Sequence, residues 1–580
     1  MGEKASMLNA TWEPKLAPRV QRRRPGHWVV WILVASSMLY YSLHHILTRN
    51  HPNQSIKAPF EQGRDSWCPL VDAIEPLDDG LEDSIYFMTA ERQNIQAERL
   101  SKAVQIPTES FDDNGEVDED PRWKTFDHFH QVLEDLFPLV HAHFKRQKVN
   151  TYGLLFTLRG SNPSLKPVLF TAHQDVVPAG SPTEWKCPPF SGHYDGSWVW
   201  GRGSGDCKNV LIGLLSVMES LLSQEFAPQR TIILAFGFDE ETGGQRGAKY
   251  LNDALLEQWG QNSLLFLMDE GGIGVKTLGD VMYAYPGVGE KGYYDVEISL
   301  TVQGGHSSRP PPHTAIGIIS QVVVALEDQA YLPSLPQWSP FRRALECSTK
   351  FSPDSVPSWL SDALLHDSEE GAGRKLAEVL TDDKWLMQTS QAVDVAAGGV
   401  KVNALPESAS ILINHRVALH ESVGYVNDHI RDIIQPIVKK HGLLLADELS
   451  DTTPGSPETN LTASPGVLHL RSLQNLAPSP LSPTDNDVWA AFGGTLRHVF
   501  ESTTSGHNKS VVPVGNIMTG NTDTVHYWNL TKNIYRYTPA RDGTRLNTHA
   551  TDERMLITAH LEGMRVYYDL IRNFDRWQEK

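Results

Sequence analysis

The chain has 580 residues, of which 40% are hydrophobic and 21% charged, a balance typical of globular proteins with a sizeable core. Its length exceeds that of one compact domain and predicts several structural units. Acidic residues outnumber basic ones by 70 to 51, which argues against a nucleic-acid partner because phosphate binding requires a basic surface. The four cysteines (Cys68, Cys187, Cys207 and Cys347) lack the CxxC spacing of zinc fingers, and the sequence leaves their disulfide pairing open.

The N-terminal region predicts a single membrane anchor. Residues 28–47 contain no Lys, Arg, Asp or Glu, and twenty helical residues span about 30 Å, the hydrocarbon thickness of a bilayer. A run of arginines between positions 19 and 24 precedes them, so the positive-inside rule places the tail at 1–27 in the cytosol and the remaining chain in a lumen. A cleaved signal peptide is the alternative, but its apolar region would be shorter and would end at small residues.

Beyond the anchor, the chain carries features of a secretory-pathway protein. Residues 48–80 are rich in Pro, Asp and Gln without periodicity and predict a lumenal stem. Four sequons offer glycosylation sites to a lumenal chain, at Asn53, Asn460, Asn508 and Asn529.

The segment 81–290 predicts the first part of a catalytic α/β domain. It begins with helical patterns at 81–104 and 123–144. Four strands follow, in GLLFTLRG, PVLFTAH, TIILAFGF and LLFLMDEGG, and helical runs separate several of them. This alternation is typical of a mostly parallel sheet.

From residue 291 the pattern changes to a smaller α+β unit, which we expect to form a lid over residues 291–450. YYDVEISLTVQGG and ASILINHRVAL alternate like antiparallel strands, and two helical runs accompany them. Residues 451–483 are rich in Pro, Ser and Thr and predict a surface excursion. The segment 484–580 returns to the first pattern, so the lid is predicted to be inserted into the catalytic domain.

Histidines and carboxylates stand where the predicted strands and turns end, and open α/β sheets place their sites at such ends. The motifs are AHQDVVP with His173 and Asp175, GRGSGDCKN with Asp206, FGFDEETGG with Glu240 and Glu241, LMDEGG with Asp269 and Glu270, and NTHATDE with His549. Each motif alone is common in loops, but their joint occurrence is specific. Two catalytic zinc ions need one bridging carboxylate and two further His or carboxylate ligands each, and this set can supply them.

These motifs, together with GGHSSRPP, occur in the order found in the co-catalytic zinc exopeptidases of the aminoacylase and carboxypeptidase S group. The chain resembles this family from Leu81 to Phe574. The resemblance implies a zinc-exopeptidase catalytic domain with an inserted lid of the dimerisation type. It also implies roles for the site residues: Asp206 bridges two zinc ions, His173 and Asp269 complete one, Glu241 and His549 complete the other, Asp175 orients His173, and Glu240 is the general base. At the fourth motif, Glu270 stays an alternative to the preferred Asp269.

For the lid, the resemblance implies residues that contact the substrate. His306 would reach a catalytic cleft, often that of the partner subunit, and stabilise the oxyanion. Asn403 and Arg416 would hold the substrate's carboxylate, and Gly520 would shape the cleft floor. Asn414 stands two residues before Arg416, where the family often has an acid.

The expected function is therefore that of a membrane-anchored dizinc carboxypeptidase acting on short peptides. The resemblance implies a vacuolar membrane location with the catalytic part lumenal, and it allows a homodimer formed through the lid. An N-acyl amino-acid hydrolase would cleave the same kind of bond and stays open as an alternative. A binding protein that kept the fold and lost its metals is disfavoured, because all five ligands and the base are present.

Overall fold

The computed structural model describes residues 68–449, 464–503 and 509–579. The predicted tail and anchor, most of the stem, and the sequons at Asn53, Asn460 and Asn508 lie outside these residues. Within the described ranges, no helix is both long enough and apolar enough to cross a membrane. The fourth sequon residue, Asn529, is exposed.

The described residues form α-helices and strands, numbered here in chain order. The helices are α1 (Ala90–Val104), α2 (Thr125–Leu136), α3 (Pro138–His143), α4 (Lys208–Ser223), α5 (Ala248–Trp259), α6 (Ala315–Asp328), α7 (Pro340–Phe351), α8 (Leu360–His366), α9 (Glu369–Val379), α10 (Val423–His441), α11 (Asp487–Thr503) and α12 (Ile557–Asp575). The strands are β1 (Lys145–Val149), β2 (Gly153–Leu158), β3 (Val168–His173), β4 (His193–Tyr194), β5 (Trp198–Trp200), β6 (Ile232–Gly237), β7 (Phe266–Asp269), β8 (Gly274–Leu278), β9 (Val281–Tyr285), β10 (Gly287–Glu290), β11 (Gly292–Val302), β12 (Gly305–His306), β13 (Ser390–Gly398), β14 (Ala404–Leu405), β15 (Ser408–Val417), β16 (Leu444–Glu448), β17 (Gly466–Leu476), β18 (Val511–Pro513), β19 (Asn516–Met518), β20 (Ile534–Arg536), β21 (Arg545–Leu546) and β22 (Arg554–Leu556).

The main sheet has the order β1-β2-β6-β3-β7-β20-β10-β19. The pairs β6–β3, β3–β7, β7–β20 and β10–β19 are parallel, whereas β1–β2, β2–β6 and β20–β10 are antiparallel. The sheet is therefore mixed: the prediction of mostly parallel strands is confirmed for four of the seven pairs and is wrong for β1–β2, β2–β6 and β20–β10. A tight turn at Asn150 and Thr151, both with positive φ, folds β1 onto β2 and reverses the chain at one edge.

Two hydrophobic layers cover the centre of this sheet. One face packs against α4, α11 and α12, and the other against α5. Strands β3 and β6 alternate between the two layers: Phe170 and Phe236 face the first, and Leu169 and Ile233 face the second. Because both faces are covered, these strands are buried along their whole length, which explains their nearly continuous apolar sequences.

A separate five-stranded sheet, in the order β13-β15-β11-β17-β16, lies in the predicted lid. Its central strand β11 pairs antiparallel with β15 and β17, and α6 and α10 pack on one face. The surface excursion predicted for 451–483 is wrong for Gly466–Leu476, because these residues form β17. Leu468 and Leu470 of this strand are fully buried in the lid core.

Helices α7, α8 and α9 lie between α6 and β13 in the chain and have their own apolar cluster. That cluster includes Ile517 of β19, so these helices pack against the main sheet's edge strand. Cys347 on α7 forms a disulfide with Cys68, with 5.1 Å between the two Cα atoms. The disulfide ties the first described residue to α7, while Cys187 and Cys207 are free.

Candidate metal centre

The three parallel strands β3, β6 and β7 end at one edge of the main sheet, and each delivers polar side chains there. Strand β3 ends at His173, β6 leads into the turn with Glu240 and Glu241, and β7 ends at Asp269. A four-stranded sheet, β21-β22-β5-β4, joins the loop carrying Asp206 to the C-terminal part of the chain. The topology therefore assembles residues from distant parts of the sequence.

Asp206 lies between the two histidines predicted from the motifs. Its Oδ1 is 3.2 Å from His173 Nε2, and its Oδ2 is 3.4 Å from His549 Nε2. His549 Nε2 is also 3.1 Å from Glu241 Oε2. One carboxylate oxygen thus faces each histidine, which is the arrangement that a carboxylate bridging two metal ions requires.

The chemistry of this donor set fits two divalent metal ions. Possible ligand atoms of His173, Glu240 and Glu241 lie within 4.8 Å of one another, as do those of Asp206, Glu241 and His549. Glu241 Oε1 is buried without a hydrogen-bond partner, although an ionised carboxylate accepts several bonds. Histidine nitrogen and carboxylate oxygen are the ligands that Zn²⁺ takes at catalytic sites.

The electrostatics show why these carboxylates need cations. Burial raises the pKa of Glu240 well above its ordinary value, and the carboxylates of Glu241, Asp523 and Glu270 add to this shift. Burial would also raise the pKa of Asp206, but hydrogen bonds with His173 and His549 outweigh it and lower that pKa. Hydrogen bonds to Asp206 and Glu241 raise the pKa of His549 to about 10. Protonated histidines or bound metal ions can supply the required positive charge.

Asp175 holds both the first histidine and the turn after β6. Its side chain is fully buried, and its Oδ1 is 3.3 Å from His173 Nδ1. Its two oxygens accept hydrogen bonds from the backbone N–H groups of Glu240 and Glu241, both at 3.1 Å. Asp175 therefore aligns a metal-ligand candidate with the two glutamates.

The third acid of the turn, Asp239, has a structural contact of its own. Its carboxylate accepts hydrogen bonds from the backbone N–H groups of Arg246 and Gly247, both at 2.7 Å, just before α5 begins at Ala248. It therefore fixes the connection between the turn and α5, while the neighbouring Glu240 and Glu241 face the histidines.

Glu553 is a site-organising residue that the sequence reasoning missed. It is fully buried, and its Oε1 accepts hydrogen bonds from the backbone N–H groups of Gly203, Gly205 and Asp206 at 2.8–3.1 Å. Its Oε2 is 2.6 Å from Arg202 Nη1. The one available signal was its position in NTHATDE, four residues after His549, but no sequence pattern links it to the Gly-rich loop.

Asp269 and Glu270 are both buried after β7 but have different neighbours. Burial raises the pKa of Asp269, which bonds with the Thr171 side chain and has Glu290 as its principal carboxylate neighbour. Burial and then the Asp206 carboxylate raise the pKa of Glu270 to about 8. The strongest charged neighbour of Glu270 is therefore Asp206, which lies between the two histidines, whereas that of Asp269 is Glu290.

The predicted lid residues separate into two groups. His306 is exposed at the end of β12, and Asn403 is exposed just before the paired strand β14. His306 Nδ1 is 2.8 Å from Ser308 Oγ, and the Asn403 carbonyl accepts a hydrogen bond from the Ser307 N–H. In the described part of the chain, no hydrogen bond or ion pair joins either residue to the metal cluster. Arg416 is instead half-buried, and its Nη1 donates to Asn521 Oδ1 at 3.0 Å, next to Gly520.

Similarity to known proteins extends over most of the chain. The profile of Peptidase family M20/M25/M40 matches residues 169–573. "Carboxypeptidase S" of Saccharomyces cerevisiae is 37% identical over 95% of this chain and 96% of its own. "N-fatty-acyl-amino acid synthase/hydrolase PM20D1" of Mus musculus is 30% identical over 85% of this chain and 90% of its own. The fold is similar to that of human carnosine dipeptidase 1, with a TM-score of 0.58 at 13% identity, over 85% of this chain and 98% of that one.

Proposed function

This chain belongs to Peptidase family M20/M25/M40 and is a metallopeptidase, and we propose that it is a dizinc carboxypeptidase that releases the C-terminal residue of short peptides. The observation that carries the proposal is the position of the Asp206 carboxylate between His173 and His549, beside Glu240 and Glu241. The similarity to carboxypeptidase S supports the choice of reaction.

The proposed ligands follow from the contacts in the cluster. Asp206 would bridge the two ions, with His173 on one side and with Glu241 and His549 on the other. We propose Glu270 as the remaining ligand, because the Asp206 carboxylate is its strongest charged neighbour. When bound, the zinc ions would polarise the scissile carbonyl and lower the pKa of the attacking water.

The chain's own residues would move the proton and position the substrate. Glu240, whose pKa is raised by burial, would take the proton of the attacking water and deliver it to the leaving amine. Asp175 would keep Glu240 in place through the backbone bond described above. The guanidinium of Arg416 would bind the substrate's terminal carboxylate near Asn521.

His306 and Asn403 are proposed to act in the cleft of a second subunit. Both are exposed on the lid. Val400 and Val402, which lie between β13 and Asn403 in the chain, are also fully exposed. A homodimer formed through the lid would cover these apolar side chains and bring His306 to the partner's substrate, where it would stabilise the oxyanion.

We also propose that the catalytic part lies in the lumen of the secretory pathway, held by the anchor at 28–47 at the vacuolar membrane. The disulfide between Cys68 and Cys347 supports an oxidising compartment. The exposed Asn529 is proposed to carry an N-linked glycan there.

A second candidate function is the hydrolysis of N-acyl amino acids at the same site. The observation that favours it is the similarity to the mouse N-fatty-acyl-amino acid synthase/hydrolase over 85% of this chain. Both reactions break an amide bond next to a residue with a free carboxylate, so the metal cluster alone serves either.

A substrate panel tests the proposed function. The purified lumenal part is expected to hydrolyse Gly-Leu and Ala-Leu at least tenfold more efficiently than N-acetyl- or N-oleoyl-leucine. A chelator should abolish the activity and added Zn²⁺ should restore it. Preference for the N-acyl compounds would favour the second candidate, and chelator-resistant hydrolysis would contradict the metal mechanism.

Metal content can separate Asp269 from Glu270 as the last ligand. We expect Glu270→Gln to reduce bound zinc from about two ions per chain to about one. The ion on the His173 side would have Asp206, His173 and Glu270 as its ligands, and the substitution removes the negative charge of the third. Asp269→Asn should retain both ions. The measurement is zinc by mass spectrometry on samples dialysed against one buffer, with circular dichroism to verify folding. The reverse pattern would assign the ligand to Asp269.

A further inference from the structure

A cleft of about 490 Å³ is lined by residues that follow β7 and by residues in and after β19. Gly272, which lines it, is two residues beyond Glu270. Met518, Thr519 and Gly520 also line the cleft, and the Gly272 N–H lies 3.4 Å from Met518 Sδ. This segment continues to Asp523, whose carboxylate packs against Gly237 and Gly244 on either side of the turn with Glu240. Asn521, which follows Gly520, donates to the Lys291 carbonyl at 2.8 Å and accepts from Arg416 at 3.0 Å. The cleft therefore lies next to the residue proposed to bind the substrate's carboxylate.

Apolar side chains form much of the cleft wall, and these are Ile273, Trp385, Leu386, Ile517 and Met518. Polar residues also line it, among them Lys291 and the carboxylates of Asp382 and Asp383. Ile273 and Trp385 are each 36% exposed. Trp385 and Leu386 come from the segment after α9, and Ile517 and Met518 come from β19. Such a concave apolar surface binds apolar groups of matching size.

Lys291 joins the two sides of this cleft. Its side chain is buried, and its Nζ donates hydrogen bonds to the backbone carbonyls of Trp385 at 3.0 Å and Gln388 at 2.8 Å. Its backbone N–H donates to the Met518 carbonyl at 3.0 Å. Burial lowers the pKa of Lys291 to about 7, so the ammonium needs these acceptors. A single residue thus holds the Trp385 segment at a fixed distance from β19.

We propose that this cleft receives a bulky apolar side chain of the peptide substrate, with Trp385 as a specificity-determining residue. Lys291 is the positioning residue that holds Trp385 in the cleft wall. This inference rests on the proposed peptidase function and adds a preference for substrates with Leu or Phe over those with Gly or Ala. Burying a side chain of that size corresponds to about a 10- to 150-fold difference in kcat/KM.

The first test uses Trp385→Ala and a panel of dipeptides of the form Xaa-Ala and Ala-Xaa, with Gly, Ala, Leu or Phe as Xaa. We expect the wild type to favour Leu or Phe in one of the two series by about 10-fold or more. In Trp385→Ala this preference should fall below about threefold, mainly through a higher KM for the Leu and Phe peptides. Trp338→Ala is the matched control, because Trp338 is 49% exposed and lies outside the cleft lining.

The second test replaces Lys291. Lys291→Met should reduce the preference for Leu or Phe as Trp385→Ala does, and Lys291→Arg should recover part of it, because a guanidinium can also donate to two carbonyls. A purely structural role would instead lower kcat/KM equally for every peptide and would overturn the positioning role. A wild type that cleaves all dipeptides equally would overturn the cleft proposal alone, whereas one that cleaves none would overturn the proposed function.

Discussion

Replacing Glu240 with glutamine is expected to lower kcat for dipeptide hydrolysis by about 10²- to 10⁴-fold, with little change in KM. Glutamine keeps the size and the backbone contact with Asp175 but cannot accept and return the proton of the attacking water. Folding and metal content should be retained, because Glu240 is not one of the proposed metal ligands. His549, for example, contacts Asp206 and Glu241 and not Glu240. The measurement is kcat and KM on Gly-Leu, with zinc content determined on the same preparation.

Two further variants make this result specific. Glu257→Gln is the matched control, because Glu257 is exposed on α5 and the change removes one negative charge in the same domain. Glu241→Gln should lose activity together with bound zinc, because Glu241 contacts His549. If Glu240→Gln also lost its zinc, Glu240 would act as a ligand and not as the proton carrier, and near-normal turnover would contradict both roles.

The centre of the fold could be predicted because the strands there have a distinctive sequence. Strands β3 and β6 are covered on both faces, so their apolar runs are nearly continuous and their ends are marked by polar residues. Parallel strands bring such ends to one edge of a sheet, which is why His173, Glu240 and Glu241 could be grouped from motifs. Asp206 and His549 were added through the joint occurrence of their motifs, and the four-stranded sheet β21-β22-β5-β4 links their loops. In the structure these five side chains lie in one cluster.

The edges of the sheets were harder to predict because the sequence of one strand does not specify which strand it pairs with or in which direction. Strand β2 reads as a buried strand, but the hairpin with β1 determines that it runs antiparallel to β6. Strand β17 alternates only over a few residues within a Pro- and Ser-rich region, and its burial depends on β11 and β16 lying on either side. Tertiary pairing decides both cases.

The lid and the supporting residues show a similar limit. Motif order suggested His306 and Asn403 as substrate contacts, yet both are exposed and lie apart from the cluster within one chain, so a role for them depends on a second subunit. Glu553 stabilises the loop of Asp206 from about 350 positions away, through backbone N–H groups that any sequence possesses. Contacts to backbone atoms leave no pattern that spacing alone can reveal.

Glu553→Gln is expected to lower both zinc affinity and kcat/KM by about 10- to 100-fold. The buried carboxylate accepts from three backbone N–H groups of the loop that carries Asp206 and pairs with Arg202. The neutral amide weakens these bonds and leaves the buried guanidinium without its charge partner, a change that costs about 3–5 kcal/mol in comparable pairs. Zinc titration against a competing chelator and dipeptide kinetics measure the two effects.

A control must separate this positioning effect from a general loss of stability. Glu562→Gln breaks another largely buried ion pair, with Arg541 at 2.8 Å, on α12 of the same domain. We expect this control to lower the thermal midpoint while zinc affinity stays at the wild-type value. Glu553→Gln should lower both, because only its loop carries the carboxylate that lies between the two histidines. Equal zinc affinity in the two variants would mean that the Gly-rich loop positions Asp206 without Glu553.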